Sequence, residues 1–258
     1  MKQTIIMIHG FRGTHHGLSL IKKELSGHYQ IIIPDLPGFG DSKPLKSYSI
    51  DSYVDWLKCY IIEQDLPNKP ILLGHSFGSI ICAAYAASNG STISDLILVN
   101  PISVPALDGP NKLTSKLALY YYLSAKLMPK RLARIWLSLS VVTLIMSITM
   151  SKTDNKQLRK YIHSQHLKYF SRFHSVDSVV EVFLTSISSS VEDFAIKIKS
   201  PTLLIVGAKD DITKIEDQYK INRMIKKSKL VVIDNAGHLT HYETPDQVAD
   251  SIREFIKS

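Results

Sequence analysis

Six short apolar runs punctuate the chain, at Thr4–Ile8, Gln30–Pro34, Ile71–Leu73, Leu96–Asn100, Thr202–Val206 and Leu230–Ile233. They are rich in Ile, Val and Leu, the pattern of strands buried on both faces. Between them lie longer stretches with apolar residues at helical spacing, near Gly17–Leu25, Ile50–Gln64, Phe77–Ala87, Glu216–Lys226 and Thr244–Ile256. This alternation predicts a doubly wound, mostly parallel α/β sheet. Ligands in such sheets bind beyond the carboxyl ends of the strands.

One interval breaks the alternation. Between Asn100 and Thr202 no run reads as a strand. The spacing there predicts four helices: Lys112–Met128, closed by Pro129, then Arg131–Met150, Lys156–Phe173 and Ser175–Ser186.

Candidate chemistry follows the strands. The string G-H-S-F-G at Gly74–Gly78 lies directly between the run Ile71–Leu73 and the small-residue run Ser79–Ala84. A strand, G-x-S-x-G and a helix make a nucleophile elbow, in which a serine sits on a strained turn with its oxygen exposed above the sheet. The turn is too tight for bulky neighbours, and Gly74, Gly78 and Ser79 are small. The backbone N–H of Phe77 opens the helix, where it is placed to hold an oxyanion. A serine nucleophile needs a base, and the base an orienting acid. The run ending at Val206 is followed by Gly207-Ala208-Lys209-Asp210-Asp211, and the run ending at Ile233 by Asp234-Asn235-Ala236-Gly237-His238. The order Ser76, Asp210, His238 is that of the α/β-hydrolase fold, not of chymotrypsin or subtilisin. Asp210 is the expected acid from its spacing to Gly207, with Asp211 the alternative.

Five motifs in series extend the match along the core: I-H-G-F at Ile8–Phe11, D-L-P-G-F-G-D-S at Asp35–Ser42, G-H-S-F-G, G-A-K-D at Gly207–Asp210, and A-G-H at Ala236–His238 with H-Y-E-T-P after it. With them the chain resembles an α/β-hydrolase-fold serine esterase or lipase of the lid-bearing branch. The resemblance implies a triad of Ser76, Asp210 and His238, and a second oxyanion donor in the N–H of Phe11. It implies a core at 1–102 and 196–258, with a helical lid inserted at 103–195. Two departures stand out. Only Met1–Met7 precede the H-G motif, so the sheet is expected to be short at its N-terminal edge. Thr14-His15-His16-Gly17 occupies the place where relatives often carry a tryptophan, which bears on the acyl pocket.

Charge changes the picture of the insertion. Residues 103–195 carry twelve Lys or Arg against six Asp or Glu, and so +6 of the chain's +8. The basic residues gather at Lys112, Lys116, Lys126, Lys130, Arg131 and Arg134, beside the apolar run Ile135–Met150. A bilayer span needs roughly 20 apolar residues, so a crossing helix is not expected. Two readings remain: weak peripheral contact with an anionic membrane through the lid, or an apolar helix buried against the core with its basic neighbours solvated. The second is the plainer. No module or aromatic-interleaved basic groove points to nucleic acid.

No metal-ligand spacing and no dinucleotide fingerprint appears, so no cofactor is expected. His15 and His16 are adjacent and point apart, without a third ligand in view. Cys59 and Cys82 are isolated, and no signal peptide is visible. A reduced cytoplasmic setting, peripheral to the membrane if the lid docks there, is the expectation. The function expected is hydrolysis of a carboxylic ester, thioester or lipid acyl group through an acyl-enzyme. The alternatives are C–C hydrolysis, a lyase step or cofactor-free perhydrolysis on the same triad, or a ligand sensor with vestigial turnover.

Overall fold

The structure, a computed structural model, describes residues 2–106 and 112–257. Met1, residues 107–111, Ser258 and the side chain of Lys112 lie outside the described residues, so Lys112 of the basic cluster and part of the expected lid are not placed.

All six apolar runs form strands: β1 (Thr4–Ile8), β2 (Gln30–Ile32), β3 (Ile71–His75), β4 (Leu96–Val99), β5 (Thr202–Gly207) and β6 (Ser228–Ile233). They make one parallel sheet in the order β2-β1-β3-β4-β5-β6. β1, β3, β4 and β5 are buried along their whole length. Alternation along a strand sends successive side chains to opposite faces. Ile6 and Ile8 of β1 thus join Leu72, Leu96, Leu98 and Leu204 on one side, while Ile5 and Met7 join Leu73, Ile97, Val99, Leu203 and Ile205 on the other.

Helices cover both faces. α2 (Ile50–Glu63) and α3 (Phe77–Asn89) pack on the first, with Leu57, Ile80 and Ile81 in that core. α1 (Ser19–Leu25) and α12 (Pro245–Lys257) pack on the second through Ile21, Leu25, Val248 and Ile252. The outer strand β2 has only three residues, none of them fully buried. The chain runs outward from β1 to β2 and then reverses to β3 on the other side of β1. The crevice at such a switch point, beyond the strand ends, is where open α/β sheets bind ligands.

Between β4 and β5 lie α4 (Lys112–Lys126), α5 (Lys130–Leu137), α6 (Ser140–Met150), α7 (Lys156–Tyr169), α8 (Val176–Ser188) and α9 (Glu192–Ala195), and no strand among the described residues. The single helix predicted over Arg131–Met150 is two. In a continuous helix the Leu137 carbonyl would accept the Val141 N–H. Here it accepts instead from the Arg12 guanidinium, at 2.6 Å, and the rod breaks at Ser138 and Leu139. α10 (Ile215–Met224) and α11 (Thr240–Glu243) complete the chain order.

Candidate active site

Ser76 follows β3 directly and adopts φ 53°, ψ −122°, a conformation costly for a residue with a side chain. The surroundings enforce it. A Cβ on Gly74 would stand 2.4 Å from the Gly78 carbonyl oxygen, and one on Gly78 would stand 2.3 Å from that of Ile8. Glycine at 74 lets α3 close on β3, and glycine at 78 lets α3 close on the end of β1. The Ser79 hydroxyl donates to the Ser76 carbonyl at 2.5 Å and accepts from the Ile102 N–H at 3.2 Å, tying the elbow to the end of β4.

His238, on the loop after β6, brings Nε2 to 2.9 Å from Ser76 Oγ and Nδ1 to 2.8 Å from Asp210 Oδ2. Burial alone would raise the Asp210 pKa. The neighbouring His238, the Ile212 N–H and the Asn100 amide outweigh it and hold the carboxyl below its ordinary value. An ionised carboxylate only accepts, so His238 Nδ1 carries the proton and Nε2 is free to accept the serine hydroxyl. Asp211 points elsewhere: its carboxylate is exposed and pairs with Lys152.

The loop after β1 closes the other side. A Cβ on Gly10 would meet Ser76 Cβ at 3.0 Å, so the backbone of this loop lies against the serine. Phe11 and Phe77 both line the cavity there, and among the described residues neither N–H has a backbone acceptor. His9 packs beneath the loop: Nδ1–H donates to the Gly10 carbonyl at 2.8 Å, and Nε2 accepts from the Leu36 N–H at 2.8 Å. Burial pushes its pKa down.

Above Ser76 is a cavity of about 250 Å³. Its walls are mainly apolar, with Ile102, Val104, Met146, Met150, Phe170 and Ile187 prominent, and α6 to α8 supply much of the roof. One corner is polar, formed by Thr143, Ser147, Gln165 and His166. Among the described residues no group of three or more His, Cys, Asp or Glu is placed to hold a metal ion. His15 binds Asp35 at 2.9 Å and His16 stacks on Tyr169.

Comparison with known proteins agrees with this geometry. The profile of the alpha/beta hydrolase family matches residues 5–251. The chain belongs to that family. The hydrolase is 26% identical over 275 residues to Lipase 1 of Psychrobacter immobilis, covering 98% of this chain and 76% of the relative. It is 25% identical over 277 residues to a monoacylglycerol lipase of Homo sapiens, covering 100% of this chain and 76% of the relative. A thermophilic esterase from Thermogutta terrifontis superposes with a TM-score of 0.81 at 24% identity, over 100% of this chain and 90% of the other, which shows the shared fold.

Several residues that shape the hydrolase site gave no signal in the sequence. Arg12 is fully buried yet has no carboxylate partner among the described residues. Its guanidinium donates to the carbonyls of Phe170 and Leu137 and to the Tyr122 hydroxyl, and lies 4.7 Å over the Phe170 ring. It thus caps the C-termini of α5 and α7, where the helix dipole favours a cation. Asn100 donates to Asp210 Oδ2 and to the Gly237 carbonyl, each at 3.0 Å. Glu243, inside the H-Y-E-T-P string, accepts from the Gly237 N–H at 2.7 Å and fixes the His238 loop. His75 lines the cavity and donates from Nε2 to the His238 carbonyl at 3.1 Å. Burial, and then His238, pushes its pKa down to about 3, so it is neutral there. The contacts of Arg12, Asn100 and His75 span about a hundred residues or more and leave no periodic trace, which is why sequence spacing missed them.

Proposed function

We propose that this hydrolase is a serine esterase that cleaves carboxylic esters of aliphatic or lipid-like acyl groups through an acyl-enzyme. The observation that carries the reading is the unbroken line Asp210–His238–Ser76 at the floor of a mainly apolar cavity. Ser76 Oγ attacks the ester carbonyl as His238 Nε2 takes its proton. The N–H groups of Phe11 and Phe77 hold the developing oxyanion, a kind of contact whose loss costs about 10²–10³ in rate. Collapse breaks the ester C–O bond, and His238 returns the proton to the departing alcohol. Water then attacks the acyl-enzyme, with His238 as base, to release the acid and restore Ser76. Asp210 keeps the imidazole in the required tautomer.

Helices α4 to α8 act as the lid in this reading: α6 to α8 roof the cavity, and Met146, Met150 and Ile187 meet the acyl chain. The relatives named as lipases support an ester substrate. 4-Nitrophenyl esters of rising chain length test the proposal. The expected result is a burst of nitrophenolate equal to the enzyme present, with medium chains preferred over acetyl. Turnover with no burst and no acylated Ser76 would overturn it.

A further inference from the structure

We propose that the outward face of α4–α6 docks on an anionic lipid bilayer. The plain expectation for this stretch was an apolar helix turned inward, and the structure shows the reverse. α6 buries Thr143 and Ser147 and leaves Val141, Ile145 and Ile148 more than half exposed. The inversion has a local cause. Ser147 Oγ faces the cavity's polar corner, 2.7 Å from Nδ1 of both His163 and His166, and with Met146 and Met150 also on the cavity wall, Val141, Ile145 and Ile148 fall on the exterior.

The two preceding helices repeat the pattern. α4 buries Tyr122 and Ala125 and exposes Leu113, Leu117 and Tyr120 at helical spacing, followed by Leu127 at 89% exposure. α5 buries Ala133 and Leu137 and exposes Leu132 and Ile135. Three consecutive helices with outward apolar stripes exceed the scattered apolar residues of an ordinary surface.

Charge selects the occupant. No Asp or Glu occurs from 112 to 153, while Lys116, Lys126, Lys130 and Arg131 are exposed among the apolar side chains. A second copy seated on this face would set these cations against their own equivalents with no carboxylate between them. Apolar side chains rimmed by Lys and Arg match the acyl–headgroup boundary of a bilayer containing acidic lipids. Residues 130–150 have the length and composition to cross a membrane. The break at Ser138 and Leu139, with Thr143, Met146 and Ser147 lining the cavity, fits docking in the interface plane instead. Docking would bring the roof of the cavity to a lipid surface; that consequence alone rests on the proposed ester hydrolysis.

The test uses Ser76→Ala protein, so turnover plays no part. It is sedimented with vesicles of phosphatidylcholine, with and without phosphatidylglycerol. Binding is expected to the anionic vesicles at low salt and to weaken as salt rises. Adding Lys126→Glu, Lys130→Glu and Arg131→Glu should lower vesicle affinity about a hundredfold. Adding Ile145→Ser and Ile148→Ser should also lower it. With Ser76 restored, both sets should keep the wild-type melting temperature and hydrolysis of a short soluble ester. Three results would overturn docking: no sedimentation at low salt, equal sedimentation of all variants, or a stable dimer that Ile145→Ser and Ile148→Ser dissociate. Binding that resists both salt and alkaline carbonate would mean a spanning helix, and would overturn it as well. Vesicle binding without any ester hydrolysis would leave docking standing and remove the proposed activity.

Discussion

At Asp210 and Asp211 the same carboxyl group meets two environments. The first is 4% exposed and fixed by His238, Asn100 and the Ile212 N–H. The second is 61% exposed against Lys152. Asp210→Asn should therefore lower kcat by about 10⁴, the scale of a triad left with the wrong imidazole tautomer. Asp211→Asn acts on an exposed side chain away from His238, where an ion pair is worth about 0–1 kcal/mol, and should change kcat little. Asn100→Ala should fall between them, since it loosens Asp210 without removing it. Steady-state kinetics on the three variants checks the ranking, and the reverse order for the two acids would move the triad acid to Asp211. The two residues were separable in the sequence only by spacing from Gly207. The hold of Asn100 on Asp210 was not legible, because it depends on the ends of β4 and β5 being neighbours.

The strands and most helices were legible because each carries its own record: a run of Ile, Val and Leu, or apolar residues at helical spacing. The break between α5 and α6 carries none. At the break the Leu137 carbonyl is held by Arg12, 125 positions away, and the same side chain caps α7, 158 positions away. A single buried cation thus fixes α5 and the roof helix α7 to the loop that bears Phe11. Arg12→Leu should leave the acceptors on Leu137, Phe170 and Tyr122 unpaired, at roughly 1–3 kcal/mol for each that water cannot reach. The expected outcome is a clear drop in melting temperature, about 2–4 °C per kcal/mol for a chain of this size. Arg12→Lys should recover part of it, since an ammonium can satisfy one or two of the three. An unchanged melting curve for Arg12→Leu would show that the helices hold their places without it.

Across the whole molecule, the parallel sheet and its switch point gather Gly10, Ser76, Asp210 and His238 from four separate strand ends. The order of motifs announced that gathering. The outward apolar face of α4–α6 was not announced, because helical spacing does not say which side of a helix meets the core. The gathered site also stores a pH dependence. His75 and His166 lie far below 6.5, at about 3 and about 4, mainly through burial. As pH falls below 6.5 the unfolded chain takes up protons that the folded chain refuses, so stability is full above 6.5 and declines toward 4. Each of the two contributes at most about 1.4 kcal/mol per pH unit, and the partly exposed His166 less than His75. Melting temperatures should fall steadily from pH 7 to 5, and His166→Gln should flatten the slope. The central claim is that Ser76 carries the acyl group, and the most direct measurement is the intact mass of the protein quenched during turnover of a 4-nitrophenyl ester. A single acyl adduct on the peptide containing Ser76, absent together with all turnover in a folded Ser76→Ala variant, is the predicted result; an adduct elsewhere, or a Ser76→Ala protein that still hydrolyses the ester at a comparable rate, would contradict it.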